Sequence, residues 1–237
     1  DLNRCFPGSS KGPLASRLAH IFLHQIVKHC DYGIDLHTGA IHRSNLPQIR
    51  ANLDDVETRE MAEKFGVPVL LNSNLRDGSL RESASSHGVK ILLYEAGEAL
   101  RLDELSIRAG VKGILGVMRH LDMLPSSKQR KLPPAPFVAR SSSWIRAPGS
   151  GLFHGKSHLG DLVKKGSVLG TVVDPSNMLD QVQVEITSEH TGIIIGKTNI
   201  PLVNEGDAVF HIARFEDASD VYAELDVLNN IMPDEVV

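Results

Sequence analysis

Residues 32–39 read Tyr32-Gly33-Ile34-Asp35-Leu36-His37-Thr38-Gly39, a short apolar run that turns polar and closes on glycine. A strand of this kind delivers side chains to a site at its C-terminal edge. The pattern recurs at Val89–Tyr94, a nearly continuous apolar run ending in Glu95-Ala96-Gly97, which reads as a buried parallel strand with a second polar tip. Between and around these tips the periodicity is helical. Leu14, Leu18, Ile21, Phe22 and Ile26 predict a helix over 14–29. Residues 54–65 form a second, with acids in its first turn that suit the helix dipole. Ser79–Ser86 reads as a third, and Leu102–Leu124 as a long amphipathic one with break points at Gly110 or Gly113. Val67–Leu71 is a further strand. The alternation of strand and helix predicts α/β architecture over residues 1–124.

Beyond this the character changes. Residues 125–137 (PSSKQRKLPPAPF) carry proline, serine and basic residues without an apolar period, the mark of a linker. Residues 138–237 are glycine-punctuated short apolar stretches, which is all-β patterning, followed by an acidic tail with a helix expected over Tyr222–Ile231. The β part repeats itself: 147–172 aligns with 188–213 through Gly151/Gly192, Gly155/Gly196, Lys156/Lys197 and Gly166/Gly206. Two such halves commonly close into a small flattened sandwich.

The composition belongs to an ordinary globular protein: 237 residues, 41% hydrophobic, 23% charged and 5% aromatic. No apolar run is long enough for a transmembrane helix. The net charge of −4 excludes a strongly basic nucleic-acid binder. That charge sits in the tail, where Arg214 faces seven acids for a net of −6, so the other 213 residues carry −4 − (−6) = +2. Two cysteines, Cys5 and Cys30, make no disulfide framework and suit a reducing, cytoplasmic setting.

Taken singly, the tips are ordinary strand ends. Taken together, Asp1-Leu2-Asn3-Arg4 with Phe6-Pro7-Gly8, then DLHTG at 35–39, then Glu95-Ala96-Gly97 resemble, in this order and spacing, the succinylglutamate desuccinylase/aspartoacylase family. The resemblance covers residues 1 to about 124. It implies a zinc-carboxypeptidase-like mixed sheet flanked by helices, followed by a small all-β barrel-sandwich domain of lipoyl-like form. It also implies zinc-dependent hydrolysis of the amide bond of a small N-acyl amino acid, with one zinc per chain. His37 is then a zinc ligand and Asp35 its support, a support read as requiring the strand to bend. Glu95 is the catalytic base, Asn3 and Arg4 hold the substrate carboxylate, and Arg81, about one helix before Glu95, is a further substrate contact. The chemistry is coherent: a metal lowers the pKa of a bound water toward about 7, a carboxylate carries the proton to the leaving amine, and an arginine fork matches a carboxylate.

The family's first two zinc ligands come from an H-x-x-E motif before DLNR, and this chain contains no H-x-x-E. The two remaining ligands are therefore expected upstream of Asp1, and a polypeptide starting at Asp1 is expected to bind zinc poorly and be inactive. A carboxypeptidase-like peptidase and a non-catalytic binder of small ligands are the alternatives. The other histidines read blandly: His20 and His24, at i and i+4, as solvated or interface residues, and His154, His158 and His190 without ligand spacing. The β part resembles biotinyl and lipoyl modules, yet Asp174–Ser188, the stretch between its halves, has no lysine, so the fold is read without the prosthetic group and as shaping substrate access or oligomer contacts. A homo-oligomer is compatible with the sequence. Nucleic acid and membrane are not expected partners.

Overall fold

A computed structural model describes residues 1–73, 75–126, 135–176 and 183–214. The first 126 residues fold as α1 (Leu14–Gln25), β1 (Tyr32–Gly39), β2 (Arg43–Ala51), α2 (Val56–Phe65), β3 (Val69–Asn72), α3 (Leu80–Ser85), β4 (Lys90–Glu98) and α4 (Glu104–His120). A single 3-10 turn, Leu2–Arg4, precedes α1. Local chemistry fixes three helix starts. Asp55, Ser79 and Asp103 each accept a backbone N–H three residues on, from Thr58, Glu82 and Ser106, which satisfies donors that the first turn leaves orphaned.

The sheet is mixed. β4 runs parallel to β1 and antiparallel to β2, so the reading of β4 as a buried parallel strand holds on one edge only. β2 was not foreseen as a strand at all. It lies at the centre and branches the sheet: its first residues pair with a C-terminal strand and its last four, Gln48–Ala51, pair in parallel with β3. Helices cover both faces. α2 and α4 close a core of Ile49, Met61, Phe65, Leu70, Leu92 and Val117, while α1 and α3 pack Leu23 and Ala84 against Val89 and Ile91. Neighbouring Ile91 and Leu92 serve opposite cores, as a strand period of two demands.

Two helices differ from expectation. α4 is unbroken through both glycines because they serve contact rather than bending. A Cβ on Gly113 would lie 2.1 Å from the Phe65 ring, and one on Gly110 would lie 3.1 Å from Tyr94. α1 ends at Gln25, and its large apolar stripe is solvent-facing, with Leu14 at 64% and Ile21 at 55% exposure; the residues it buries are Ala19 and Leu23.

The C-terminal half is β throughout its described residues: β5 (Phe137–Ala139), β6 (Ser141–Arg146), β7 (Gly151–Gly155), β8 (Leu162–Val163), β9 (Val168–Val173), β10 (Gln183–Thr187), β11 (Gly192–Thr198), β12 (Leu202–Val203) and β13 (Ala208–Arg214). The repeat is present as structure. β7-β8-β9 matches β11-β12-β13, and Gly166 and Gly206 take the same left-handed turn conformation, φ +86° and +85°. The halves exchange their short strands, β8 pairing with β11 and β12 with β7. A sheet of order β10-β9-β7-β12 faces β11, β13 and β6 across Phe153, Leu169, Ile194 and Phe210. The described strands do not close into a barrel. β11 also hydrogen-bonds to β2, and β5 to β3, so both halves share one nine-stranded sheet. Residues 127–134 of the expected linker and the expected tail helix at Tyr222–Ile231 lie outside the described residues.

Candidate active site

The parallel register of β1 and β4 sets His37 beside Glu95. Asp35, two residues before His37, lies on the same face of β1, and its Oδ2 is 2.9 Å from His37 Nε2. No bend is needed, contrary to expectation: residues i and i+2 are neighbours on one face, and the register slips only after His37. A carboxylate only accepts, so the proton of this bond belongs to Nε2, and in the neutral ring Nδ1 keeps its lone pair. The hydrogen bond to Asp35 raises the His37 pKa. Burial opposes it, the charges of Asp35 and Glu95 add to it, and Arg50 lowers it.

Glu95 is held at both oxygens from β2. Asn45 Nδ2 donates to Oε1 at 2.7 Å. Arg50 Nε lies 2.7 Å from Oε2, off the N–H direction, so this contact is a charge–charge pairing rather than an aligned hydrogen bond. The ladder between β2 and β4 explains how Asn45 gets there. Asn45 opposes Gly97 and Gln48 opposes Glu95, so three steps on β2 span two on β4, a bulge at Leu46-Pro47. A bulge re-aims the side chains before it. It turns Asn45 onto the face that Glu95 occupies.

Asn3, Arg4, His37, Arg50, Arg76, Arg81 and Glu95 border one cavity of about 300 Å³, together with Asp1 and Ser73. All five residues predicted from sequence therefore converge. Asn3 Oδ1 accepts the Leu80 backbone N–H at 2.8 Å, which ties the N-terminal turn to the start of α3. Arg4 is exposed, and its Nη1 donates to the Asn3 carbonyl. Arg81 is buried, 7% exposed, with Nη2 3.3 Å from Ser73 Oγ. Burial, then the charges of Arg50 and Arg76, lower its pKa, while Asp35 raises it. Four arginines against Asp1 and Glu95 make a cavity suited to an anionic ligand.

Asn45, Arg50 and Arg76 were missing from the sequence reading. Only a weak signal existed for one of them: Arg50 is a charge directly between the apolar Ile49 and Ala51, and such charges are seldom buried without a partner. Among the described residues no group of three or more His, Cys, Asp or Glu side chains is placed to hold a metal ion. The His20 and His24 rings lie 4.1 Å apart, tilted by 35°, and His24 Nδ1 lies 2.9 Å from the His20 carbonyl, so that ring nitrogen is occupied within the helix. A second, largely apolar cavity of about 490 Å³ lies along β1, bordered by Phe22, Ile26, Ile34 and Ile91. No helix among the described residues is long and apolar enough to cross a membrane.

A mixed α/β sheet with a histidine–carboxylate pair, a clamped glutamate and an arginine-lined cavity defines the class of fold and site. Residues 1–121 match the family model described as "Succinylglutamate desuccinylase/Aspartoacylase catalytic domain". The chain belongs to the succinylglutamate desuccinylase/aspartoacylase family. It is 27% identical over 223 residues to the N-alpha-acetyl-L-2,4-diaminobutyric acid deacetylase of Halomonas elongata, an alignment that covers 90% of this chain and 65% of that protein. The chain thus spans just under two thirds of that relative's length. The crystal structure of a succinylglutamate desuccinylase/aspartoacylase from Rhodobacter sphaeroides superimposes with a TM-score of 0.75 at 27% identity, covering 90% of this chain and 67% of that one. The apo structure of the ectoine utilization protein EutE (DoeB) from Ruegeria pomeroyi shares the fold, with a TM-score of 0.79 at 22% identity over 91% of this chain and 70% of that one.

Proposed function

We propose that the protein hydrolyses the amide bond of a small N-acyl amino acid, with zinc, and that His37 is one of three protein ligands to that zinc. The observation that carries this reading is the His37–Asp35 pair standing in register with Glu95 at an arginine-lined cavity. His37 suits a ligand position because Asp35 engages Nε2 and leaves Nδ1 for a metal, the usual way a carboxylate orients a ligating histidine. The other two ligands belong, in this proposal, to an H-x-x-E segment upstream of Asp1. Two features favour it: the outer edge of β1 is unpaired among the described residues, and 35% of the Halomonas relative lies outside the 65% that the alignment covers. When bound, zinc supplies a Lewis acid and a water of lowered pKa.

The chain's own residues do the rest. Glu95 takes a proton from the attacking water, whose oxygen bonds to the acyl carbon. The same carboxyl group then passes that proton to the nitrogen as the C–N bond breaks and the amine leaves. Arg4 and Asn3 hold the substrate carboxylate and Arg81 adds a fixed positive charge. The C-terminal strands form a lipoyl-like sandwich without a prosthetic group, bordering substrate access or oligomer contacts; the absence of lysine from 174–188 supports this. The thiols of Cys5 and Cys30 are free, which accords with a cytoplasmic setting.

The test is the zinc-loaded, full-length protein assayed on N-acetyl, N-succinyl and N-formyl amino acids beside unmodified dipeptides. Acyl amino acids should be the better substrates, and Glu95→Gln should lower turnover by orders of magnitude with zinc retained. Preference for dipeptides would make the protein a peptidase. Near-normal turnover of Glu95→Gln would remove Glu95 as the base.

A further inference from the structure

We infer that Asn45 is a positioning residue for Glu95, fixed in place by Gly196 of β11, so that the C-terminal strands set the aim of the base. The inference rests on Glu95 being the base. Asn45 is 6% exposed and gives its Nδ2 to Glu95 Oε1 at 2.7 Å. Of the two groups on the Glu95 carboxylate this is the aligned hydrogen bond; Arg50 contributes charge from the other oxygen without the N–H direction. A charge alone does not define the rotation of a carboxyl plane, whereas an aligned donor does. The amide must turn Nδ2 toward Glu95, because a carboxylate has nothing to donate.

The rest of the surroundings lock that orientation. The Leu46-Pro47 bulge puts Asn45 on the Glu95 face, and its neighbours across both strand edges are glycines, Gly97 on β4 and Gly196 on β11. Gly196 has no room for a side chain. A Cβ there would lie 2.9 Å from Asn45 Oδ1 and 3.1 Å from His211 Cβ. The Gly196 backbone, paired with Asn45 in the ladder, thus leaves no space for a Cβ beside the oxygen of the amide whose nitrogen holds the base. The two ends of Asn45 do different work: Oδ1 is seated against the C-terminal half, and Nδ2 steers Glu95.

The decisive experiment is a cycle of Asn45→Ala and Glu95→Gln, singly and together, in the zinc-loaded full-length protein, with a crystal structure of Asn45→Ala. Asn45→Ala should lower kcat about ten- to a hundredfold, the scale of a base misplaced by about 1 Å, while KM stays within about twofold. In the Glu95→Gln background it should cost nothing further, since no base remains to be aimed. The structure should show the Glu95 carboxyl rotated away from its native position. Equal fractional losses in both backgrounds, or a Glu95 that stays in place with native kcat, would overturn the positioning role and leave the base intact. A Glu95→Gln variant with near-native turnover would instead sink the base, and this inference with it. If Asn45→Ala fails to fold, Asn45→Ser, which keeps a polar group at the site, takes its place in the same cycle.

Discussion

Protonating His211 should destabilise the protein in mild acid, and the size of the effect follows from where the ring sits. His211 is on β13, 5% exposed, stacked on Trp144 at 4.4 Å with planes 9° apart. Its Nε2 is 2.9 Å from Ser142 Oγ, and Nδ1 is buried with no hydrogen-bond partner among the described residues. Burial, then the charges of Arg50 and Arg43, lower its pKa from 6.5 to about 3. In the unfolded chain the ring takes up a proton below about pH 6.5; in the folded chain it stays neutral down to about pH 3. Between these values the unfolded state binds the extra proton, so stability is complete above 6.5 and falls as the pH falls. At pH 5 the loss is about 2 kcal/mol relative to pH 8, from 1.36 kcal/mol per pKa unit over the titrated interval. His211→Phe keeps a ring on Trp144 and removes the titration. Urea unfolding of both proteins from pH 8 to pH 5 isolates the site, because every other group cancels in the difference. The variant should gain about 2 kcal/mol on the parent across that range. A difference that stays constant with pH would refute the assignment of a neutral, buried imidazole.

Two further outcomes follow from the packing and from the proposed zinc site. Gly113→Ala should destabilise by about 1–2 kcal/mol, since the clash with the buried Phe65 ring exceeds the roughly 0.5–1 kcal/mol that alanine returns to a helix; thermal melting should show a drop of several degrees. Asp35→Asn should weaken zinc binding about ten- to a hundredfold in chelator competition on the full-length protein. Unchanged affinity would separate Asp35 from metal support.

Much of the site was legible because it sits where strands end. Asp35, His37 and Glu95 are polar residues closing apolar runs, and short-range pattern reveals such tips. Their convergence with Asn3, Arg4 and Arg81 needed the family's order of motifs. β2 was hidden by its own composition. Ser44, Asn45, Pro47 and Gln48 read as a loop, and a proline argues against a central strand. The bulge at Leu46-Pro47 resolves the conflict by placing the residue without an N–H where the ladder is already broken. Asn45 and Arg50 could not be assigned to Glu95 from sequence, since a cross-strand register joins segments about fifty residues apart. The repeat was readable from its glycines, but the exchange of β8 and β12 between halves was not, because two-residue strands carry no period.

The sheet topology also decides whether residues 1–124 stand alone. β3 pairs on its outer edge with β5, and the early part of β2 pairs with β11. One continuous core joins Leu46, Val69 and Leu71 from the first half to Phe137, Ile193 and Ile195 from the second, every one of them 4% exposed or less. Cutting the chain after residue 124 would bare this surface and leave two strand edges open. Each large apolar side chain returned to water costs about 1.5–3 kcal/mol, and three such residues already approach the whole stability of a typical domain. Open edges add a template for intermolecular pairing. A protein ending at residue 124 should therefore be recovered aggregated, or lack a cooperative melting transition. A soluble fragment with a sharp transition would show that the C-terminal strands are an accessory rather than part of the folding unit, and would weaken the case that β11 holds Asn45 in place.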